Sequence, residues 1–276
     1  MTLSRASFII PDWPLPGGVF ALSTTRLGGS SGGAWRGFNL GDHVGDADGA
    51  VQANREDLRD RLPGSPVVDW LSQVHGNRVV ELAPGRGEAV ADACWTSHRG
   101  QPCAVLTADC LPVLLCSLDG ACVGAVHAGW RGLAAGVVEA AVAAMAVPGK
   151  ELMAWLGPAI GPTAFEVGPE VRSAFVGTAP AADRDATEAC FASVRDRAGH
   201  YLADLPGLAR MRLRGCGVSH LYGMAACTYS DADRFYSYRR DGQTGRMATL
   251  IMRCPTELYR PVGAGSARAK PCLNRT

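Results

Sequence analysis

Lysine is nearly missing from this chain. Of 276 residues only Lys150 and Lys270 are lysines, and arginine carries the rest of the positive charge. A base-composition bias accounts for that skew as well as a functional need for bidentate anion contacts does. An excess of either charge is missing too. The net charge of +1 argues against a general polyanion binder, since nucleic acid needs a basic face. No stretch reaches the roughly 18 uninterrupted apolar residues of a membrane span. The segment MTLSRASFIIPDWPLPGG has no charged n-region followed by a long apolar h-region, so no secretory signal is read. Several metal and nucleotide signatures are also absent. There is no Cys-x-x-Cys, His-x-x-x-His or His-x-His, no Walker A loop and no Gly-x-Gly-x-x-Gly after a strand. The nucleobase-deaminase signature fails as well: Pro102-Cys103 has no cysteine three residues on, and Arg99-Gly100 follows His98.

Cysteine is not scarce, at ten residues. Cys103, Cys116 and Cys122 lie inside apolar, strand-like runs, where a reduced thiol behaves as a small hydrophobe. The reading is a reducing cytoplasm with mostly structural thiols.

The organisation is that of one domain over 1–255, with a polar tail over 256–276 that reads as disordered. FALSTTR reads as a strand before the glycine-serine loop LGGSSGGAW. A helix over about 50–62 is expected, capped by Asp46 or Asp48, since Val51, Leu58 and Leu62 recur near helical spacing. β-rich runs flank Gly76-Asn77, placing His75 at a strand end or a hairpin turn. CAVLTADCLPVLLCSLDGACVGAVHAGW gives three short apolar runs. Asp119-Gly120 reads as a hairpin tip, and Cys110 as part of a tight connection between two buried strands. GLAAGVVEAAVAAMA reads as a single buried helix, LMAWLG as a strand, and further helices are expected from Pro169 and in LADLPGLARMRLRGCGV. The stretch from Ala179 to His200 shows no clear period, and a buried strand is expected at Met247–Met252. This irregular alternation indicates an α+β fold with mixed sheets layered with helices.

Three polar residues stand out within apolar, glycine-punctuated stretches: His75, Cys110 and His127. A single histidine at a strand end is more often a hydrogen-bonded core residue than a ligand, and each of the three is weak alone. Glycines beside them let backbone approach a ligand closely. Together they make a two-histidine, one-thiolate set with a fourth position open, the ligand count of a catalytic zinc. The same residues also suit a thiolate activated by a histidine, so Cys110 is either ligand or nucleophile. Asp109 is a candidate for moving protons. Arg239, Arg240 and Arg246 flank the loop RRDGQTGR, with Arg131 beside the His127 motif. Such forks hold phosphate or carboxylate, although any one of them alone reads better as a solvated surface arginine.

STTRLGG, FNLGDHVGD, SQVHGN, ADACWTS, LTADCLPVLL, AVHAGWRGL, LGPAIGP with FEVG, and SYRRDGQTGRMA run from Ser23 to Met252. This set resembles the bacterial laccase-domain, or multicopper polyphenol oxidase, family, also described as purine nucleoside phosphorylases of the laccase-domain type. The resemblance implies an α+β fold and a zinc site at His75, Cys110 and His127. It implies phosphorolysis of adenosine, inosine, guanosine and methylthioadenosine, with deamination of adenosine. Its expected partners are a small nucleoside and phosphate, with Asn39 a candidate contact; a monomer or weak oligomer is expected, with no nucleic acid or membrane bound. The family is also tied to removing a misincorporated serine from a peptidoglycan precursor, which would use Cys110 as nucleophile and His127 as base. Copper-dependent phenol oxidation is the older description; the missing His-x-His pairs speak against it.

Overall fold

The computed structural model describes residues 4–258; most of the expected tail, from 259 on, lies outside the described residues. The chain runs through β1 (Phe8–Ile9), β2 (Val19–Thr24), α1 (Asp48–Arg59), β3 (Leu71–Ser72), β4 (Val79–Glu81), β5 (Ala89–Val90), β6 (Ala93–Thr96) and β7 (Pro102–Thr107). The central part is β8 (Leu111–Ser117), β9 (Val123–Ala128), α2 (Trp130–Ala134), α3 (Val137–Ala144) and β10 (Leu152–Leu156). There follow β11 (Glu166–Val167), α4 (Pro169–Val176), α5 (Arg184–Glu188), β12 (Phe191–Ser193), β13 (Tyr201–Ala203), α6 (Leu205–Gly215), β14 (His220–Gly223), α7 (Tyr238–Asp241) and β15 (Met247–Arg253).

Two sheets form the centre. One has six strands in the order β14-β10-β8-β9-β6-β4, the other four in the order β1-β2-β15-β7. The four-stranded sheet is antiparallel throughout. The six-stranded sheet is antiparallel in its middle, with the parallel pairs β10–β14 and β4–β6 at its edges. This is the mixed α+β architecture the sequence indicates.

Side-chain alternation along the strands sorts the core into layers. Leu111, Val113 and Leu115 of β8 face a cluster with Leu133, Val138, Val171 and Leu208 from the helices. Leu114 and Cys116 point the other way, against Cys103, Val105 and Ile251 of the four-stranded sheet. That sheet turns Ala104, Leu106, Leu250 and Met252 toward Leu58 of α1 and Leu62 just beyond it. The order is thus α1, sheet, sheet, helices. Both sheets are covered on both faces, so every residue of β7, β8 and β9 is buried. That is why these strands read as unbroken apolar runs rather than alternating ones.

Several local expectations change. α1 begins at Asp48 behind an Ala47 cap with no side-chain cap bond; the Asp46 carboxylate instead accepts from Asn39 and from the Ala47 N–H. The alanine-rich segment is two helices, because Gly136 takes a left-handed φ of 86° between α2 and α3. Gly76-Asn77 is not a hairpin: β3 pairs with β5 and β4 with β6, in different sheets. The stretch without period holds α5 and β12. The Asp119-Gly120 turn does close a hairpin, β8–β9, with Asp119 accepting from Ser117 Oγ and the Ala121 N–H.

Candidate functional site

The open end of the β8–β9 hairpin sets the site. Pro112 of β8 pairs with His127 of β9, and Leu111 with Ala128. Cys110, one residue before β8, therefore lies beside the imidazole carried by β9. His75 arrives from the β3–β4 connection with a left-handed φ of 60°. The side-chain ligand atoms of His75, Cys110 and His127 all lie within 4.8 Å of one another. Cys110 Sγ is 3.8 Å from His75 Nε2, and the two imidazole rings meet edge-on at 4.8 Å. Burial rises across the trio: His75 is exposed, Cys110 half-buried and His127 buried. One side of the cluster is thus open to solvent.

Gly129 explains one glycine of the HAGWRG motif. A Cβ there would lie 2.9 Å from Cys110 Sγ and 2.9 Å from His75 Cδ2, against two of the three side chains. Gly132 is also tight, with a Cβ only 2.6 Å from the Gly76 carbonyl oxygen. The segment that follows β9 can pass this close to the His75 turn only without side chains.

A fourth residue organises the trio and was not singled out from the sequence. Asp92 is wholly buried one residue before β6. Its Oδ1 accepts from His127 Nδ1 at 2.8 Å and from the His75 N–H at 2.9 Å. Its Oδ2 accepts from the Gly76 N–H at 2.7 Å and the Val74 N–H at 3.3 Å. Burial works against the charged carboxyl, but the bond from His127 and the backbone donors outweigh it and lower the Asp92 pKa. One sequence signal pointed there: an ionisable residue embedded in the apolar run AVADACW, which is rarely tolerated without partners.

Electrostatics favour a thiolate. Desolvation opposes ionisation of Cys110, yet the charge of His127 and hydrogen bonds from His127 and His75 bring its pKa down to about 6. Desolvation likewise opposes the charged form of His127, but the Cys110 thiolate and the Asp92 bond push its pKa up to about 9. Both shifts favour a thiolate–imidazolium pair, each charge holding the other.

The other candidate residues separate by where their polar atoms go. Asp109 has a left-handed φ of 91°, and both its oxygens are occupied. Thr228 Oγ1 donates at 2.6 Å, Ser237 Oγ at 2.9 Å and the Arg239 N–H at 2.7 Å. It therefore ties α7 to the site. Asn39 is wholly buried; its amide donates to the Gly41 carbonyl and Asp46, and its oxygen accepts from the N–H groups of Gly41 and Arg246. Arg240 spends its guanidinium on the carbonyls of Thr228, Tyr229 and Phe235 and on Asp241. Arg239 donates through Nη1 to the Glu166 carbonyl and lies over the Phe165 ring. Arg131 is exposed and stacks on Trp130. Arg246 is half-buried, with Nη1 on the carbonyls of Thr244 and Gly245. Burial lowers its pKa, and the negative charges of Cys110 and Asp109 oppose that shift. Tyr238, also not anticipated, follows Ser237 and is 62 % exposed, one residue from the groups that grip Asp109.

Two imidazoles and a thiolate suit a borderline-soft ion such as zinc, and the open side leaves room for a further ligand. Among the described residues this is the one group of three or more His, Cys, Asp or Glu side chains placed to hold a metal.

A layered α+β fold with a His-Cys-His centre at a hairpin mouth defines a class of protein, and comparison with known proteins identifies it. Residues 20–254 match the family described as multi-copper polyphenol oxidoreductase laccase, and the chain belongs to that family. A Pseudomonas aeruginosa protein named purine nucleoside phosphorylase is 51 % identical over 245 residues, covering 89 % of this chain and 98 % of that one. The Escherichia coli purine nucleoside phosphorylase YfiH is 48 % identical over 252 residues, with the same coverages. A crystal structure of a Neisseria meningitidis protein superposes with a TM-score of 0.84 at 47 % identity, covering 90 % of this chain and all of that one. No helix among the described residues is long and apolar enough to cross a membrane.

Proposed function

We propose that this chain is a zinc-dependent purine nucleoside phosphorylase acting on adenosine, inosine, guanosine and methylthioadenosine, and that it also deaminates adenosine. The observation that carries the reading is the convergence of His75, Cys110 and His127 within 4.8 Å at an open-sided site, in a chain about half identical to proteins named purine nucleoside phosphorylase. A single three-donor centre speaks for zinc over the coupled copper ions of a laccase.

Zinc held by His75, Cys110 and His127 supplies a Lewis acid able to stabilise negative charge on a leaving group or to acidify water. The chain's own residues do the rest. In phosphorolysis a phosphate oxygen bonds to C1′ while the C1′–N9 bond breaks, so the purine leaves with the electron pair and takes up a proton. Arg246 is the best placed anion contact of the four arginines, since its Nε and Nη2 carry no protein hydrogen bond and it feels the charge of Cys110. Arg239 and Arg131 follow, and Arg240 is spent on carbonyls. Tyr238 offers an exposed ring on which a base can stack. Asp109 holds α7, and hence Tyr238 and Arg239, against the centre. The products decide the matter: purified protein is incubated with adenosine, with and without phosphate, and analysed by mass. Adenine and ribose 1-phosphate are expected only with phosphate; inosine is expected without phosphate, and inosine or the hypoxanthine formed from it with phosphate. Unchanged adenosine in both cases sinks the proposal.

A second reading has one observation in its favour. A Cys110 pKa near 6 beside a charged His127 is also the signature of a thiolate nucleophile. In that case the chain is an amidase removing a misincorporated serine from a peptidoglycan precursor. Trapping a covalent acyl group on Cys110 with such a precursor supports it, and a tightly held zinc on the Cys110 sulfur during turnover counts against it.

A further inference from the structure

Asp92 touches both histidines of the centre, yet by different routes: the ring of His127 and the backbone of His75. We infer that Asp92 is the positioning residue that preforms the centre, fixing the ring state of His127 and the left-handed turn of His75 with one buried carboxylate. This inference rests on the metal-site reading of the trio.

An ionised carboxylate only accepts, so the 2.8 Å contact requires His127 Nδ1 to be the donor. Nε2 is then the nitrogen left to ligate. A ligating histidine that gives its other N–H to a carboxylate is held in orientation and made more basic. Backbone reinforces this: the His127 N–H donates to the Asp92 carbonyl at 2.7 Å, so ring and main chain of one residue are held by the same partner. On the other side, three consecutive N–H groups, those of Val74, His75 and Gly76, converge on the carboxylate. A histidine at φ of 60° is strained relative to the usual regions, and these three donors hold it there. With zero exposure, Asp92 exchanges no bond with water.

Asp92→Asn tests this with nearly unchanged volume. If its amide nitrogen faces His127, Nδ1 must accept, Nε2 carries the proton and cannot ligate. If it faces Gly76, the N–H groups of Gly76 and Val74 lose their acceptor and the His75 turn loosens. Either orientation weakens the centre. Zinc affinity, measured by competition with a chromophoric chelator, is expected to fall about 10–100-fold in Asp92→Asn. Leu58→Ala, in the core layer between α1 and the four-stranded sheet, serves as the destabilised control, with unchanged zinc affinity expected. Wild-type affinity in Asp92→Asn overturns the role of Asp92 while leaving the metal site standing. Absence of zinc binding by the wild type overturns both. If Asp92→Asn does not fold, nitrogen NMR of the zinc-loaded wild type decides. A retained, slowly exchanging His127 Nδ1–H supports the assignment, and a metal bound through Nδ1 overturns it.

Discussion

Gly129 shows how much a single missing side chain controls. Its φ of −67° suits any residue, so backbone strain is not the reason for glycine. The reason is the pair of 2.9 Å contacts that a Cβ would make with Cys110 and His75. Gly129→Ala should therefore fold with near-native stability and lose most of its metal, since the added methyl displaces the Cys110 thiol or the His75 turn that Asp92 holds. Metal content and a thermal melt on one preparation check this: full zinc loading in a folded Gly129→Ala protein sinks the steric argument. Cys110 gives the second prediction at this scale. Iodoacetamide reacts with the thiolate, and a lowered pKa means the thiolate persists to lower pH. In chelator-stripped protein the rate at Cys110 should be half-maximal near pH 6, rising with pH, rather than near the ordinary value of 9. Zinc should suppress the reaction at every pH. A midpoint near 9 in the stripped protein disproves the thiolate–imidazolium pair.

At the scale of elements, α7 depends on Asp109. Ser237 caps this four-residue helix, and its hydroxyl both donates to Asp109 and accepts from the Arg240 N–H. Removing that hydroxyl costs a cap, about 0.5–2 kcal/mol, and frees the segment that bears Tyr238 and Arg239. Ser237→Ala should raise KM for nucleoside severalfold with little change in zinc content; an unchanged KM would show that α7 does not present substrate contacts. The same elements show what a sequence can disclose. The β8–β9 hairpin was legible because two fully buried strands flank Asp119-Gly120, a local signal. So were the α6 segment, with Asp204 accepting from the Gly207 N–H, and the trio itself, whose members each interrupt apolar sequence. The His75 turn was legible only as a break. Its flanking strands pair with β5 and β6 rather than with each other, and no local pattern encodes long-range pairing. Asn39 and Arg240 looked like ligand contacts because their types are; their partners include backbone amides and carbonyls as far off as Arg246 for Asn39, and only the fold shows those valences to be filled. Asp92 escaped for the converse reason. Four donors reach it, three of them backbone N–H groups, which leave no mark in side-chain identity.

Over the whole molecule, the centre joins segments that the chain otherwise keeps apart. His75 sits between strands of different sheets, Cys110 links the four-stranded sheet to the six-stranded one, and His127 ends β9 just before the helical layer. An ion bound by all three ties both sheets and the approach to α2 together, and it binds the folded state alone. Such binding stabilises by RT ln(1 + [L]/Kd), about 2.7 kcal/mol at a hundredfold excess of free zinc over Kd. For a protein of this size each kcal/mol shifts the melting temperature by about 2–4 °C, so chelation should lower Tm by roughly 5–10 °C. The drop should reverse on adding zinc and depend on zinc concentration, as mass action requires. Cys110→Ala supplies the decisive comparison. Its half-buried side chain adds little to the core, so its melt should resemble that of chelated wild type and should not respond to chelator. A Cys110→Ala protein that still loses 5–10 °C on chelation would place the stabilising metal elsewhere and detach the trio from both the stability and the chemistry assigned to it.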